Sequence, residues 1–203
     1  IGFARRMTAY KRPELLFNDI EQLKAIAAKY PLQIVFAGKA HPRDDEGKRL
    51  IEILQHHLRE LAETITIAYL PNYNMELAQC LVSGVDVWLN TPLPPLEASG
   101  TSGMKAAFNG VPNLSVMDGW WLEGCIEGVT GWGIGDSVVD SSSESTGGDG
   151  RALYNKLEQV VLPLYYNNRA GWIAVMKGAI SQNASFFNSH RMMRRYATEA
   201  YLS

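Results

Sequence analysis

The stretch Ile1-Gly2-Phe3-Ala4-Arg5-Arg6-Met7-Thr8-Ala9-Tyr10-Lys11-Arg12 passes from a short apolar run straight into a turn that carries four cations. An amphipathic segment, Pro13 to Lys29, follows, and then a second apolar run, Gln33 to Ala37. Runs of this kind read as buried strands, and a helix-length crossover between them makes the pair parallel. The same alternation continues outward. Apolar runs at Thr64 to Leu70, Val85 to Leu89 and Asn113 to Met117 are separated by amphipathic segments at Gly47 to Leu61, Met75 to Ser83 and Gly103 to Asn109. Such a β-α-β-α order predicts an α/β fold, a parallel sheet with helices on both faces. Ligands of these sheets gather beyond the carboxyl ends of the strands. The turns Arg5 to Lys11, Gly38 to Pro42, Pro71 to Asn74, Thr91 to Lys105 and Asp118 to Trp121 are therefore expected to share one site.

The 203 residues are 46% hydrophobic and 20% charged, so one sizeable core and one domain over 1–203 are expected. A net charge of -2 gives no drive toward nucleic acid or an anionic membrane. No run approaches the roughly 18 apolar residues of a membrane span. Cys80 and Cys125 lack metal-ligand spacing and read as buried or idle thiols of a reducing cytoplasm, and no metal is expected. The chain opens on Ile1, directly in an apolar run, and is expected to be a piece of a longer protein. Residues 136–150 are almost all Ser, Asp, Gly, Glu and Thr, a composition that reads as a mobile surface loop. Beyond them, Arg151 to Leu162 and about Ala170 to Tyr201 are expected to be helices that close the fold.

Two runs carry chemistry. In Glu97-Ala98-Ser99-Gly100-Thr101-Ser102-Gly103-Met104-Lys105, small residues lead into a helix with a lysine near its start. A helix start offers unpaired N–H groups and a positive dipole end, where a phosphate can rest against Thr101 and Ser102 while Lys105 bonds an aldehyde. That arrangement suits pyridoxal phosphate, although the same composition suits an ordinary side-chain N-cap. The other run, Arg5 to Arg12, sets arginines and a lysine where oxyanions would be held, and a solvated basic turn is its bland alternative.

Taken with Gly38-Lys39-Ala40-His41-Pro42, Asn72-Tyr73-Asn74-Met75 and Met117-Asp118-Gly119, these runs closely resemble the α-glucan (glycogen, starch and maltodextrin) phosphorylase family. The resemblance covers nearly the whole chain outside the polar loop. It implies a Rossmann-like domain, the C-terminal half of a two-domain glycosyltransferase-B architecture whose N-terminal domain is not among these residues. It also implies pyridoxal 5'-phosphate as cofactor, carried on Lys105, with Arg5, Tyr73, Thr101 and Ser102 around it. Arg6 and Lys11 match the residues that hold inorganic phosphate, and Glu97, Ser99 and Gly100 those that bind the terminal glucosyl unit. Arg5 stands where many relatives carry lysine, and Ser102-Gly103 replaces a Gly-Asn pair. The implied reaction is reversible phosphorolysis of α-1,4-glucan to α-glucose 1-phosphate with retained configuration, and the chain by itself is expected to be inactive. Lys39 and His41 belong to a recognised loop without a role.

Two other functions remain as alternatives: a sugar-nucleotide glucosyltransferase of the glycogen or starch synthase kind, which has no need of Lys105, and a non-catalytic glucan- or phosphate-sensing module. Asp86 reads as an anchor beside a strand, Trp120 and Trp121 as packing, and His56, His57 and His190 as members of solvated helix faces.

Overall fold

The computed structural model describes residues 1–135 and 145–202. Six strands form one parallel sheet: β1 (Gly2–Ala4), β2 (Gln33–Ala37), β3 (Thr66–Leu70), β4 (Trp88–Asn90), β5 (Asn113–Val116) and β6 (Gly131–Ile134), in the order β3-β2-β1-β4-β5-β6. The first five match the apolar runs. The sixth, Gly-Trp-Gly-Ile, lacks a branched run and was not anticipated. It depends on close approach: Gly131 has a φ of 149°, and a Cβ there would collide with the carbonyl oxygen of Asn113 on β5.

Helices cover both faces. They are α1 (Ile20–Lys29), α2 (Asp45–Leu61), α3 (Met75–Gly84), α4 (Thr101–Phe108), α5 (Trp121–Gly124), α6 (Ser145–Lys156), α7 (Leu162–Asn167), α8 (Arg169–Gly178) and α9 (Ser189–Tyr196). Side chains alternate across the sheet. Phe3 and Phe36 join Leu23 and Ile26 of α1, Leu54 of α2, Leu153 of α6 and Trp172 of α8 in the larger core. Their neighbours Ala4 and Ala37 face the other way and pack with Trp88, Leu81 and Val82 of α3 and Ala106 of α4. The small residues Ala4, Ala37 and Ala106 let α3 and α4 lie close to the carboxyl ends of β1 and β2, where the functional turns begin.

Several boundaries differ from the sequence reading. The segment Pro13 to Lys29 is not one helix: a tight 3-10 turn, Pro13–Phe17, ends before Asp19, whose carboxylate caps α1 by accepting the Gln22 N–H at 2.9 Å. Of the polar stretch 136–150, residues 136–144 lie outside the described residues, while Ser145 to Gly150 belong to α6. The C-terminal helices only partly close the fold. α6 and α8 enter the core, whereas no residue of α9 is buried. Trp120 and Trp121 are buried at 5% and 0% exposure, so both pack. Asp86 is exposed just before β4, at the sheet end opposite the functional turns. His56 and His190 are exposed, while the ring of His57 stacks on Phe17. No helix of the described residues is long and apolar enough to cross a membrane.

Candidate functional site

β1 and β4 are neighbours, and from them the chain departs in opposite directions across the sheet. Such a switch point opens a crevice at the strands' carboxyl ends. The two loops that leave it are stitched together. Arg12, at a left-handed φ of 45° and only 4% exposed, donates to the carbonyls of Thr91 (3.0 Å) and Pro92 (2.6 Å) and to Asp149 of α6 (2.6 Å). In return the Thr91 hydroxyl donates to the carbonyls of Lys11 and Arg12, both at 2.9 Å. Arg12 is thus the structural member of the cation cluster, a role that its sequence context did not single out.

This stitching holds Lys11 and Arg5 over one carboxylate. Glu97 Oε2 accepts from Arg5 Nη2 and from Lys11 Nζ, each at 2.5 Å. The three side chains are 10%, 6% and 9% exposed in the order Glu97, Arg5, Lys11. Burial by itself would raise the pKa of Glu97, but the hydrogen bonds and positive charges of Lys11 and Arg5 together outweigh it and hold the carboxyl below its ordinary value. Arg5 Nη1 is buried and, among the described residues, has no hydrogen-bond partner. Tyr73, on the turn after β3, is half-buried and packs against the smaller core; burial holds its hydroxyl pKa above the ordinary value, with the charge of Arg5 opposing. Arg6 points to solvent.

The loop after β4 ends at Gly100, which starts α4 with a φ of 88° and makes no side-chain cap. The ordinary N-cap alternative is therefore not what Ser99, Thr101 and Ser102 do here. Ser102 Oγ instead accepts from Trp88 Nε1 at 3.3 Å, Thr101 is exposed, and Ser99 and Gly100 are partly exposed. Lys105 lies one turn beyond Thr101. Both line an open cleft of about 980 Å³, with Met104 and Phe108 on one side and Arg191 and Tyr196 of the C-terminal helices on the other. Among the described residues the Lys105 ammonium has no hydrogen bond or ion pair. The structure thus brings Arg5, Lys11 and Glu97 together in the crevice, sets Tyr73 on the turn after β3, and places Thr101 and Lys105 on α4 along the cleft. Lys39 and His41 are exposed at the rim, where His41 Nδ1 accepts the Arg43 N–H at 3.1 Å.

One buried group was overlooked in the sequence. Asp118, 6% exposed, accepts the backbone N–H of Glu97 at 2.9 Å. The available signal was a carboxylate immediately after a buried strand, at the start of the turn Asp118 to Trp121 that is expected to face the site.

Comparison with known proteins places the chain in a family. A family model described as carbohydrate phosphorylase matches residues 4–127. A glycogen phosphorylase of Aquifex aeolicus is 48% identical over 208 residues, covering 99% of this chain and 30% of the relative. A maltodextrin phosphorylase of Thermococcus litoralis is 48% identical over 205 residues, covering 99% of this chain and 24% of the relative. A glycogen phosphorylase of Mycobacterium tuberculosis is 40% identical over 210 residues, again with 24% of its length covered. The chain therefore spans less than a third of these curated relatives.

Proposed function

Because the chain belongs to the carbohydrate phosphorylase family, we propose that it is the C-terminal, cofactor-carrying domain of an α-glucan phosphorylase that works together with an N-terminal domain of the same protein. The length of the relatives supports the second part, since 99% of this chain matches 30% of one and 24% of another. The reaction is phosphorolysis: inorganic phosphate takes the terminal glucosyl unit of an α-1,4-glucan, giving α-glucose 1-phosphate with retained configuration and a glucan one unit shorter. The same reading makes this a cytoplasmic hexosyltransferase.

The observation that carries the proposal is the convergence of Arg5 and Lys11 on Glu97 at the switch point, with Arg5 Nη1 a buried donor that lacks a partner among the described residues. A buried guanidinium nitrogen of this kind suits a phosphate oxygen, which guanidinium groups bind at two points. The residues fit pyridoxal 5'-phosphate: Arg5, Thr101, Ser102 and Tyr73 would hold it, and Lys105 would carry it covalently. When bound, its phosphate supplies the proton relay to the substrate phosphate.

The chain's own residues do the rest. Two phosphates brought close together repel strongly, and Arg5, Arg6 and Lys11, with the start of α4, supply the positive charge and N–H donors that offset this. Arg6 and Lys11 hold the substrate phosphate. Glu97, Ser99 and Gly100 bind hydroxyls of the terminal glucosyl unit and fix its anomeric carbon beside that phosphate. Glu97 rests on Arg5 and Lys11 in the structure, so an incoming oxyanion takes over these cations and turns the carboxylate toward sugar.

The test is borohydride trapping with pyridoxal phosphate followed by mass spectrometry, on the 203-residue chain and on the full-length protein. The expected result is a single reduced adduct on Lys105 that disappears in Lys105→Ala. A full-length protein with no adduct at Lys105 overturns the proposal. An adduct found only in the full-length protein keeps the proposal and shows that the cofactor needs the facing domain.

A further inference from the structure

β5 ends at Val116, and the next turn is built against the loop that presents Glu97. Asp118 Oδ2 accepts the Glu97 N–H at 2.9 Å, and its Oδ1 accepts the Gly119 N–H at 2.8 Å. The Trp120 N–H donates to the Ser99 carbonyl at 2.8 Å. Between these ties Gly119 adopts a φ of 56°, and a Cβ there would lie 2.6 Å from the Ser99 carbonyl oxygen and 2.9 Å from that of Glu97. Three consecutive residues thus hold both ends of the segment Glu97 to Ser99. The hold requires a carboxylate. Both of its partners are donors, whereas an amide has one acceptor oxygen and would turn its NH2 toward one of the two N–H groups.

We infer that Asp118 is a positioning residue that acts through Glu97, fixing the backbone from which the Glu97 carboxylate reaches the glucosyl unit. The inference rests on the phosphorylase reading. Its physical content is that orientation of the sugar is fixed from the turn after β5, while the phosphates are gripped from the turn after β1. A shift of about 1 Å in a substrate-positioning group costs up to about 100-fold in rate, and loss of the Glu97 N–H tie releases the loop by that order of distance.

The experiment is a double-mutant cycle in the full-length, cofactor-loaded protein, with maltoheptaose and inorganic phosphate as substrates. Asp118→Asn is expected to lower kcat about 10- to 100-fold, and to lower the rate of a Glu97→Gln variant by less than about twofold, since its effect is spent once Glu97 is gone. Urea unfolding midpoints of all four proteins separate this effect from loss of fold. If Asp118→Asn does not fold, Gly119→Ala displaces the same two carbonyls and carries the same cycle. Equal fold-losses in both backgrounds, or an Asp118→Asn enzyme of undiminished kcat, overturn the inference alone. A wild-type protein that forms no glucose 1-phosphate from maltoheptaose overturns the phosphorylase reading and the inference with it.

Discussion

Glu97 is the residue on which charge, stability and function meet. Its carboxylate is held by two buried cations, and breaking a buried ion pair by removing one partner costs about 3 kcal/mol. Glu97→Gln should therefore destabilise the chain by about that amount near neutral pH, because Arg5 and Lys11 are left facing each other. The pH dependence follows from the lowered pKa. A group whose folded pKa lies below its unfolded value contributes full stability above the unfolded value, about 4.3 for glutamate, and loses it as pH falls through the folded one. The difference in unfolding free energy between wild type and Glu97→Gln, measured with urea, should be constant from neutral pH down to about 5 and shrink below about 4. Added phosphate should narrow the neutral-pH difference by occupying the two cations. A difference that persists unchanged into acid would show that the carboxylate's charge is not what holds this cluster. The residue types of the cluster were legible in the sequence, and so was its place after β1 and β4. That Glu97 joins Arg5 and Lys11 through one oxygen was not, because 92 and 86 residues separate the partners and only the sheet order brings them together.

At the level of elements, α4 decides where Thr101, Ser102 and Lys105 stand, and Gly103 decides where α4 stands. A Cβ on Gly103 would lie 2.5 Å from Asn113 Oδ1 and 2.9 Å from Trp120 Nε1. Asn113 is fully buried, and its Nδ2 donates to the Gly103 carbonyl at 3.0 Å, so the helix is pinned to β5 at that point. In an open helix Gly→Ala gains about 1 kcal/mol. Here overpacking of two buried side chains costs about 3 kcal/mol, and Gly103→Ala should come out about 2 kcal/mol less stable in urea unfolding. A variant as stable as wild type would mean that α4 can slide along β5. The same dependence on close approach explains which elements the sequence reveals. β1 to β5 carry apolar side chains that announce them, and their crossover helices show the 3.6-residue pattern. β6 is specified by the absence of a side chain at Gly131, which hydrophobic periodicity does not register. The break at Asp19 was similarly hidden: an apolar stripe runs through Pro13 to Lys29, but Asp19 hydrogen-bonds to Gln22 and starts a new helix.

Across the whole molecule, the turns proposed to hold phosphate, cofactor and sugar all lie at one end of one sheet, and among the described residues that end is open. Arg6, Thr101 and Lys105 are exposed, and the cleft beside Lys105 is walled on its far side only by the C-terminal segment, whose α9 has no buried residue. Phosphoryl and glucosyl chemistry of the proposed kind needs charges in a water-excluded site, where they act at full strength, and a glucan held from both sides. A sheet with one uncovered end supplies half of that enclosure. The fold class was readable from alternation, and so was the end of the sheet at which the turns carrying Arg5, Lys11 and Glu97 meet. The far wall of the cleft was not readable as a local pattern, because in the proposed reading enclosure belongs to a pair of domains. The expected outcome is that the 203-residue chain, supplied with pyridoxal phosphate, maltoheptaose and inorganic phosphate, forms no measurable glucose 1-phosphate in a phosphoglucomutase-coupled assay, whereas the full-length protein does. Turnover by the pure chain would mean that the crevice between β1 and β4 suffices for the reaction without a facing domain.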